Sequence, residues 1–484
     1  MSASFYFYDL ETSGFDPRRA RIMQFAGQRT DMNLKPIGKP LQTLIKLTPD
    51  VVPEPDAILV TGITPQQTLA EGITEAEFLD QFYAHAVQPD TIFVGFNNIR
   101  FDDEFMRFLQ YRNFYEPYEW QWQDGRSRWD LLDVVRMTRA LRPDGIEWPF
   151  APDGKPANRL EYLTKVNKID HKGAHDALVD VNATIAVAKL LKTKQPDLFN
   201  YLLGMRDKKK VAELVGSGSP FVYTTGRYPS QTLHTSVAVL LARHTEQDAL
   251  LVYDLRHDPT PFLEMSVDQL EEAWKFTKDP EVLRLPVKTI KYNRVPAVAP
   301  LGVIKDAKTQ ERIDLPLETV QKHLDILKPH QQEFAERLAQ VVKRLDERRA
   351  KEQVSLVDNA LTVDSRLYEN FIDSADKQTI RAIRAAKPAD LDQSLAASLR
   401  DERLKSLLPL YKARNYPQSL TSEERAGWDD FCRHQLLDGG EDSRLAKYFN
   451  RLSELAAGKP TQNQQYVLEE LQLYGQSLLP AEAD

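Results

Sequence analysis

One cysteine, Cys432, stands in 484 residues, so an internal disulfide is excluded, and with it a zinc site built on cysteines. Long hydrophobic runs are missing too. No stretch of about 18 apolar residues occurs, and the N-terminus has no basic segment followed by an apolar core, so neither a membrane-spanning helix nor a secretory leader is read from the chain. The expected compartment is the cytoplasm. Positive charge is not in excess: Lys+Arg 63 against Asp+Glu 71 give a formal net charge of −8. That total does not advertise a nucleic-acid binder, but a local basic channel is compatible with it, so distribution decides more than the sum. What is present, a hydrophobic share of 42% and a charged share of 28%, belongs to a globular protein in water. The length calls for roughly two to four domains.

The most informative stretch is residues 5–14, Phe-Tyr-Phe-Tyr-Asp-Leu-Glu-Thr-Ser-Gly. Consecutive aromatics favour a buried strand, and Phe5, Tyr6, Phe7 and Tyr8 are taken as core. Side chains alternate along a strand, so Asp9 and Glu11 project to one face. Two carboxylates side by side repel unless something positive separates them. Mg²⁺, which takes oxygen ligands, is the obvious candidate. An Asp-x-Glu beside a turn is also common without any chemistry, so the later segments decide.

Residues 21–30 and 41–47 read as two further strands of an antiparallel meander. Prolines 49, 53 and 55 break regular structure, and the Thr61–Pro65 turn leads into a helix. Glu75–Ala86 carries Phe78, Phe82 and Ala86 at helical spacing. Thr91–Gly95 is a short strand of the buried kind, followed by a helix with Phe105, Phe108 and Leu109 inward. Acids at a helix start suit its dipole, which accounts for Asp103 and Glu104. Asp102 instead follows the apolar Phe101 at a strand-to-helix junction, where a site forms. Residues 101–129 hold ten aromatics interleaved with arginines. Within them, 111–125 reads as a loop on which unpaired bases stack, and Ser127–Arg136 as a helix with Leu131, Val134 and Val135 inward. Arg159–Val166 is a further helix, and a long one runs from the 173–176 region through Ala188. Asp176 is a natural helix-start acid. Asp180 is not, since a like charge one turn earlier costs a few tenths of a kcal/mol. Something else holds it, and His175 at the helix mouth approaches the same place.

Asp9-x-Glu11, Asp102 and His175-x₄-Asp180, in this order within one domain-sized span, resemble the DEDDh family of 3′→5′ exonucleases. The flanks narrow the likeness. Tyr8-Asp-Leu-Glu-Thr-Ser-Gly, Leu59-Val-Thr-Gly-Ile-Thr-Pro, Gly95-Phe-Asn-Asn-Ile-Arg-Phe-Asp-Asp-Glu, Tyr111-Arg-Asn-Phe-Tyr, Ser127-Arg-Trp-Asp-Leu-Leu-Asp-Val, Ala174-His-Asp-Ala-Leu-Val-Asp and the distant Tyr411-Lys-Ala-Arg-Asn-Tyr-Pro look like the bacterial exonuclease I family. The resemblance implies an α/β ribonuclease-H-like domain with a mixed sheet of order 3-2-1-4-5, then an SH3-like β-containing domain and an all-α C-terminal domain. We set these at 1–196, 197–347 and 350–478. It implies a Mg²⁺-dependent enzyme that degrades single-stranded DNA to 5′-mononucleotides, with two metals, Mn²⁺ as a substitute, and a role in DNA repair. Asp9, Glu11, Asp102 and Asp180 are then the metal ligands, Glu11 also meets the terminal 3′-hydroxyl, and His175 takes the proton from the attacking water. Imidazole is the side chain that exchanges protons near neutral pH.

For the strand itself the candidate contacts are Glu11, Arg107, Tyr118, Trp122, Arg136, Arg159, Tyr201, Lys208, Lys291 and Asn293. The basic run Arg206–Lys210 is ordinarily a solvated face, but its position after the nuclease domain favours phosphate contact. Residues 282–305 carry Arg284, Lys288, Lys291, Arg294 and Lys305 with no acid, a stripe suited to a phosphate backbone. Short strands are expected at 236–242, 249–254 and 287–293. Helices are expected at 375–386, 391–403, 423–437 and 443–457. The resemblance also implies a monomer that binds the acidic, phenylalanine-ended tail of single-strand-binding protein, for which Arg142 with Tyr201 is the candidate pocket. The rival readings are a DEDDh exoribonuclease and a non-catalytic single-strand binder. Four carboxylates facing phosphate argue against the second.

Overall fold

The structure, a computed structural model, describes residues 3–173, 175–244, 248–275, 279, 282–357 and 363–479; Ala174, within one of the quoted motifs, lies outside them. It forms two compact units, one of Met1–Ser127, Lys172–Asn182 and Leu361–Asp484, the other of Arg128–His171 and Ala183–Ala360.

In the first unit β1 (Ser4–Thr12) pairs antiparallel with β2 (Ile22–Thr30), and β2 antiparallel with β3 (Leu41–Leu44). On its other side β1 runs parallel to β4 (Thr91–Gly95). The sheet order is β3-β2-β1-β4-β5, where β5 (Ser127–Asp130) carries the chain out of this unit. β1 is buried on both faces: Phe5, Tyr6, Phe7 and Tyr8 are at most 2% exposed. That is why it reads as a run of aromatics rather than an alternation. Tyr8, Phe25, Phe78, Phe82, Phe93 and Trp120 form the adjoining core.

Two expectations change here. The 111–125 stretch is not an open aromatic loop. Tyr111, Phe114, Tyr115 and Trp120 are buried, with the Trp120 and Phe93 ring centres 4.7 Å apart. Short 3₁₀ turns at Glu119–Gln121 and Gln123–Gly125 fold the chain back so that these rings fill the core. Trp122, 62% exposed, is left outward. Nor is Ser127–Arg136 one helix: it is β5 followed by the helix Leu131–Leu141, which Asp130 caps by accepting from Leu132 N.

The C-terminal helices of the same unit pack a second core, in which Leu367, Ile380, Leu404 and Tyr411 meet Phe108, Tyr111 and Phe114. The segment expected as one helix over 391–403 divides into Gln393–Ala397 and Glu402–Asn415, because Asp392 and Asp401 each cap a fresh start. Ser374–Ala385, Ser422–Leu437 and Arg444–Ala457 match expectation closely, and Gln462–Ser477 is an additional helix. The same unit contains a buried ionic quartet. Arg414 donates to both oxygens of Asp364 (2.9 and 2.7 Å) and to Asp50 (2.7 Å), while Arg21 donates to Asp364 (2.9 Å).

The second unit contains an antiparallel sheet of order β10-β6-β7-β8-β9. Its strands are β6 (Phe221–Thr224), β7 (Thr235–Arg243), β8 (Ala249–Asp254), β9 (Val287–Lys291) and β10 (Ala297–Pro300). β9 stops short of the expected 293, where Tyr292–Arg294 makes a 3₁₀ turn. β6 and β10 complete the sheet without having been anticipated. Among the described residues no helix is long and apolar enough to cross a membrane.

Candidate active site

The site is assembled where β1 ends. Asp9 and Glu11 lie two residues apart on one strand face, opposite Ala26 and Gln24 of β2, and a register shift after Glu11 ends the pairing. Asp9 is half-buried and Glu11 is 8% exposed. Beside them β4 ends at Gly95, where a Cβ would stand 2.6 Å from Asn98 Cβ and 3.2 Å from Tyr8 O. Only a residue without a side chain lets the 96–101 loop turn so tightly. That loop delivers Asp102 and Asp103 as the first residues of α1 (Asp102–Arg112). The two acids divide the work. Asp103, fully buried, accepts from the Tyr8 hydroxyl and, at 3.4 Å, from Asn98 Nδ2, which ties the helix start to β1. Asp102, 4% exposed, acts electrostatically on both Asp9 and Glu11.

The third contribution comes from α2 (Ala177–Lys194). Asp176 caps it, accepting from Leu178 N at 3.0 Å and Val179 N at 3.2 Å. The same carboxylate accepts from Gln24 Nε2 at 3.2 Å and Gln42 Nε2 at 3.1 Å. Gln24 Oε1 in turn takes Ala177 N at 3.0 Å. The mouth of α2 is thereby pinned to β2 and β3, and Asp180, one turn in, is carried to the carboxylates of β1. His175 is exposed, holds a left-handed φ of +72°, and donates its main-chain N–H to Asp180 Oδ2 at 3.4 Å. A non-glycine residue in that conformation marks a strained, over-determined position. One ligand atom each of Glu11, His175 and Asp180 lies within 4.8 Å of the others.

The electrostatics have one sign. Burial, then Asp102, Asp180, Glu11 and Asp176, hold Asp9 well above the usual carboxylate range. Burial, then Asp180, Asp102 and Asp176, push Glu11 up to about 9. Each of these influences penalises the ionised form, which is the state a divalent cation requires and relieves. Oxygen donors gathered in this way, with Glu11, His175 and Asp180 placing ligand atoms within 4.8 Å of one another, fit a hard cation.

The sequence model of the family described as "Exonuclease" matches residues 6–188, that of the exonuclease I SH3-like domain residues 206–344, and that of the exonuclease I C-terminal domain residues 361–478. The chain is 40% identical over 441 residues to exodeoxyribonuclease I of Haemophilus influenzae, covering 90% of each chain. This chain belongs to the exodeoxyribonuclease I family. Among solved structures, Escherichia coli exonuclease I in complex with a dA16 oligonucleotide is 36% identical with a TM-score of 0.90, covering 99% of this chain and all (100%) of that one. A complex of SSB and exonuclease I with the inhibitor CFAM is 35% identical with a TM-score of 0.87 at the same coverage. The ribonuclease-H-like, SH3-like and helical parts expected from the sequence are thus those of the exodeoxyribonuclease I family, and the chain is an exonuclease.

The remaining candidate residues divide between the units. In the first, Arg107 is 6% exposed and donates to Glu104 Oε1 (2.8 Å) and Gln121 Oε1 (2.9 Å). Its guanidinium stands 5.5 Å from the Tyr118 ring centre, so the fold does bring Arg107 and Tyr118 together. Trp122 projects outward nearby in sequence. In the second, Arg136 is half-buried against Asp133 at 2.7 Å, and Arg159 is exposed, 5.8 Å from the Tyr162 ring. Lys208 opens the helix Lys208–Gly216 and Lys291 ends β9; both are exposed. Burial, then Arg294, Arg227 and Arg349, lower the Lys291 pKa, as in a cationic neighbourhood suited to phosphate. Asn293 offers its side chain beside a carbonyl occupied by Arg128. Arg142 donates to Leu141 O and Val303 O, and Tyr201 packs on the core of the β-sheet. Sequence reasoning missed Gln24, Gln42 and the Tyr8–Asp103 bond. Glutamines within otherwise apolar strands were the available signal for the first two.

Proposed function

We propose that this exodeoxyribonuclease I family member removes 5′-mononucleotides from the 3′ end of single-stranded DNA, using Mg²⁺ held by Asp9, Glu11, Asp102 and Asp180. The observation that carries the reading is the convergence of buried and half-buried carboxylates from β1, α1 and α2, with His175 at their rim. When bound, divalent cations there would supply an activated water, charge neutralisation at the phosphate and help for the departing 3′-oxygen; Mn²⁺ is the expected substitute. The chain's own part is positional. Asp176 and the two glutamines fix α2, so Asp180 needs no rearrangement to meet Asp9 and Glu11. Glu11, last on the strand, also reads the terminal 3′-hydroxyl. His175, exposed at the helix mouth, takes the proton of the attacking water, whose path to solvent stays open there.

The candidate contacts for the strand are Arg107, Tyr118 and Trp122 in the first unit; those in the second are Arg136, Arg159, Tyr201, Lys208, Lys291 and Asn293. Arg142 with Tyr201 receives the acidic, phenylalanine-ended tail of single-strand-binding protein, in keeping with the SSB and exonuclease I complex. The enzyme works as a cytoplasmic monomer in DNA repair, with domains at 1–196, 197–347 and 350–478. Digestion of matched single-stranded DNA, single-stranded RNA and duplex, each with Mg²⁺ and with chelator, tests the reading. Loss of the DNA single strand alone, and only with metal, is expected. Equal loss of RNA, or digestion in chelator, overturns it.

A further inference from the structure

In the second unit residues 149–158 fold into a short hairpin. Phe150 and Pro156 form an antiparallel bridge, Ala151 N donates to Lys155 O at 2.8 Å, and Ala157 N donates to Pro149 O at 3.2 Å. Gly154, at φ +78°, makes the tip, a conformation that glycine adopts without strain. Prolines 149, 152 and 156 restrict the backbone further. Arg139, only 3% exposed, braces the hairpin by donating Nη1 to Ala157 O (2.6 Å) and Asn158 Oδ1 (3.3 Å). Its guanidinium carbon stands 5.7 Å from the Trp148 ring centre and 5.0 Å from that of Phe150. The buried cation thus meets two aromatic rings.

Phe150 itself is 62% exposed. A single exposed aromatic is ordinary on a protein surface. This one differs in being held on a fixed backbone and backed by a buried cation, so little freedom is lost when something lies against it. Arg159, with a side chain 72% exposed and its guanidinium 3.7 Å from Glu161, stands two residues beyond the pair that closes the hairpin. An exposed ring on a braced backbone, followed in sequence by an exposed guanidinium, supplies the two elements with which single-strand binders hold a base and a phosphate. We infer that Phe150 is a stacking contact for one unpaired base of the DNA strand, with Arg159 on the adjoining phosphate. The inference rests on the proposal that single-stranded DNA is the substrate.

The test uses the full chain in chelator, so that no strand is consumed, and reads the dissociation constant of a labelled oligothymidylate by fluorescence anisotropy. Phe150→Leu keeps an apolar side chain but removes the ring, and should weaken binding about five- to tenfold. Phe150→Trp should bind as tightly as the parent or more so, which also guards against a folding defect. A scan of single abasic sites along the strand should find one position where the missing base weakens the parent protein but does not weaken Phe150→Leu further. Parent-like binding by Phe150→Leu overturns the inference. So does a uniform loss with the same abasic profile in both proteins, which would signal apolar packing or docking of a protein partner instead. If the parent neither binds the strand nor digests it with Mg²⁺, the functional reading has failed, an outcome distinct from either of these.

Discussion

Asp364→Ala should cost the first unit more than any substitution on its surface. The side chains of Asp50, Asp364 and Arg414 are each 3% exposed and that of Arg21 5%. Two cations and two anions therefore balance in a place water does not reach. Removing Asp364 cancels three of the hydrogen bonds and leaves two guanidiniums sharing Asp50. An uncompensated buried charge of this kind costs about 3–5 kcal/mol. On a folding unit of this size each kcal/mol is worth roughly 2–4 °C, so the melting temperature should fall by on the order of 10 °C. The double variant Asp364→Ala/Arg414→Met returns the cluster to one cation and one anion, Arg21 and Asp50, which already stand 3.5 Å apart. It should lose less than the sum of the single variants, with a coupling of about 0.5–3 kcal/mol. Scanning calorimetry, with urea unfolding as a check, reads both quantities. A shift under about 2 °C for Asp364→Ala, or strict additivity in the double variant, would refute the reasoning.

Acid should destabilise the same region: Asp50, Asp364 and Glu75 are held below their ordinary 3.8, 3.8 and 4.5, against burial, by Arg414, Arg21 and Arg112. Between the folded and ordinary values the unfolded chain binds more protons, so this stability is complete above about pH 4.5 and is lost as the pH falls through the folded values; a melting temperature independent of pH from 5 down to 3 would contradict it. Gly95→Ala should lower turnover more than it lowers stability, because the added methyl meets Asn98 Cβ and Tyr8 O and shifts the loop that delivers Asp102, at an overpacking cost of about 1–3 kcal/mol; unchanged turnover speaks against the loop's role. Tyr8→Phe should cost about 1–3 kcal/mol by removing a buried donor from Asp103, and an unchanged unfolding midpoint would show that the bond is dispensable.

How much of this was legible depended on how local each cause was. The strand face shared by Asp9 and Glu11 follows from alternation alone, and the misfit of Asp180 one turn after Asp176 was visible as a helix paying for repulsion. The cap formed by Asp176 was readable, but not the two glutamines that turn it into an anchor, since they arrive from β2 and β3. Long-range polar pairing left no local trace. The ionic quartet joins positions 21, 50, 364 and 414, and the Tyr368 hydroxyl reaches Glu104 from 264 residues away. The aromatics of 111–125 misled because polar neighbours disguised core residues as a loop; what buries Trp120 is a pair of 3₁₀ turns that composition does not show. Strands β6 and β10 are four residues each, too short for their alternation to stand out beside the longer β7.

Under the proposed function, the carboxylates converging at the end of β1 hold the divalent cation on which hydrolysis depends. A calorimetric Mg²⁺ titration of the parent protein, Asp9→Ala and Asp180→Ala, read alongside release of 5′-mononucleotides from single-stranded DNA, tests it most directly. Either substitution should weaken Mg²⁺ binding and abolish turnover while leaving binding of the strand largely intact. Mg²⁺ binding and nucleotide release equal to the parent's in either variant would contradict the account.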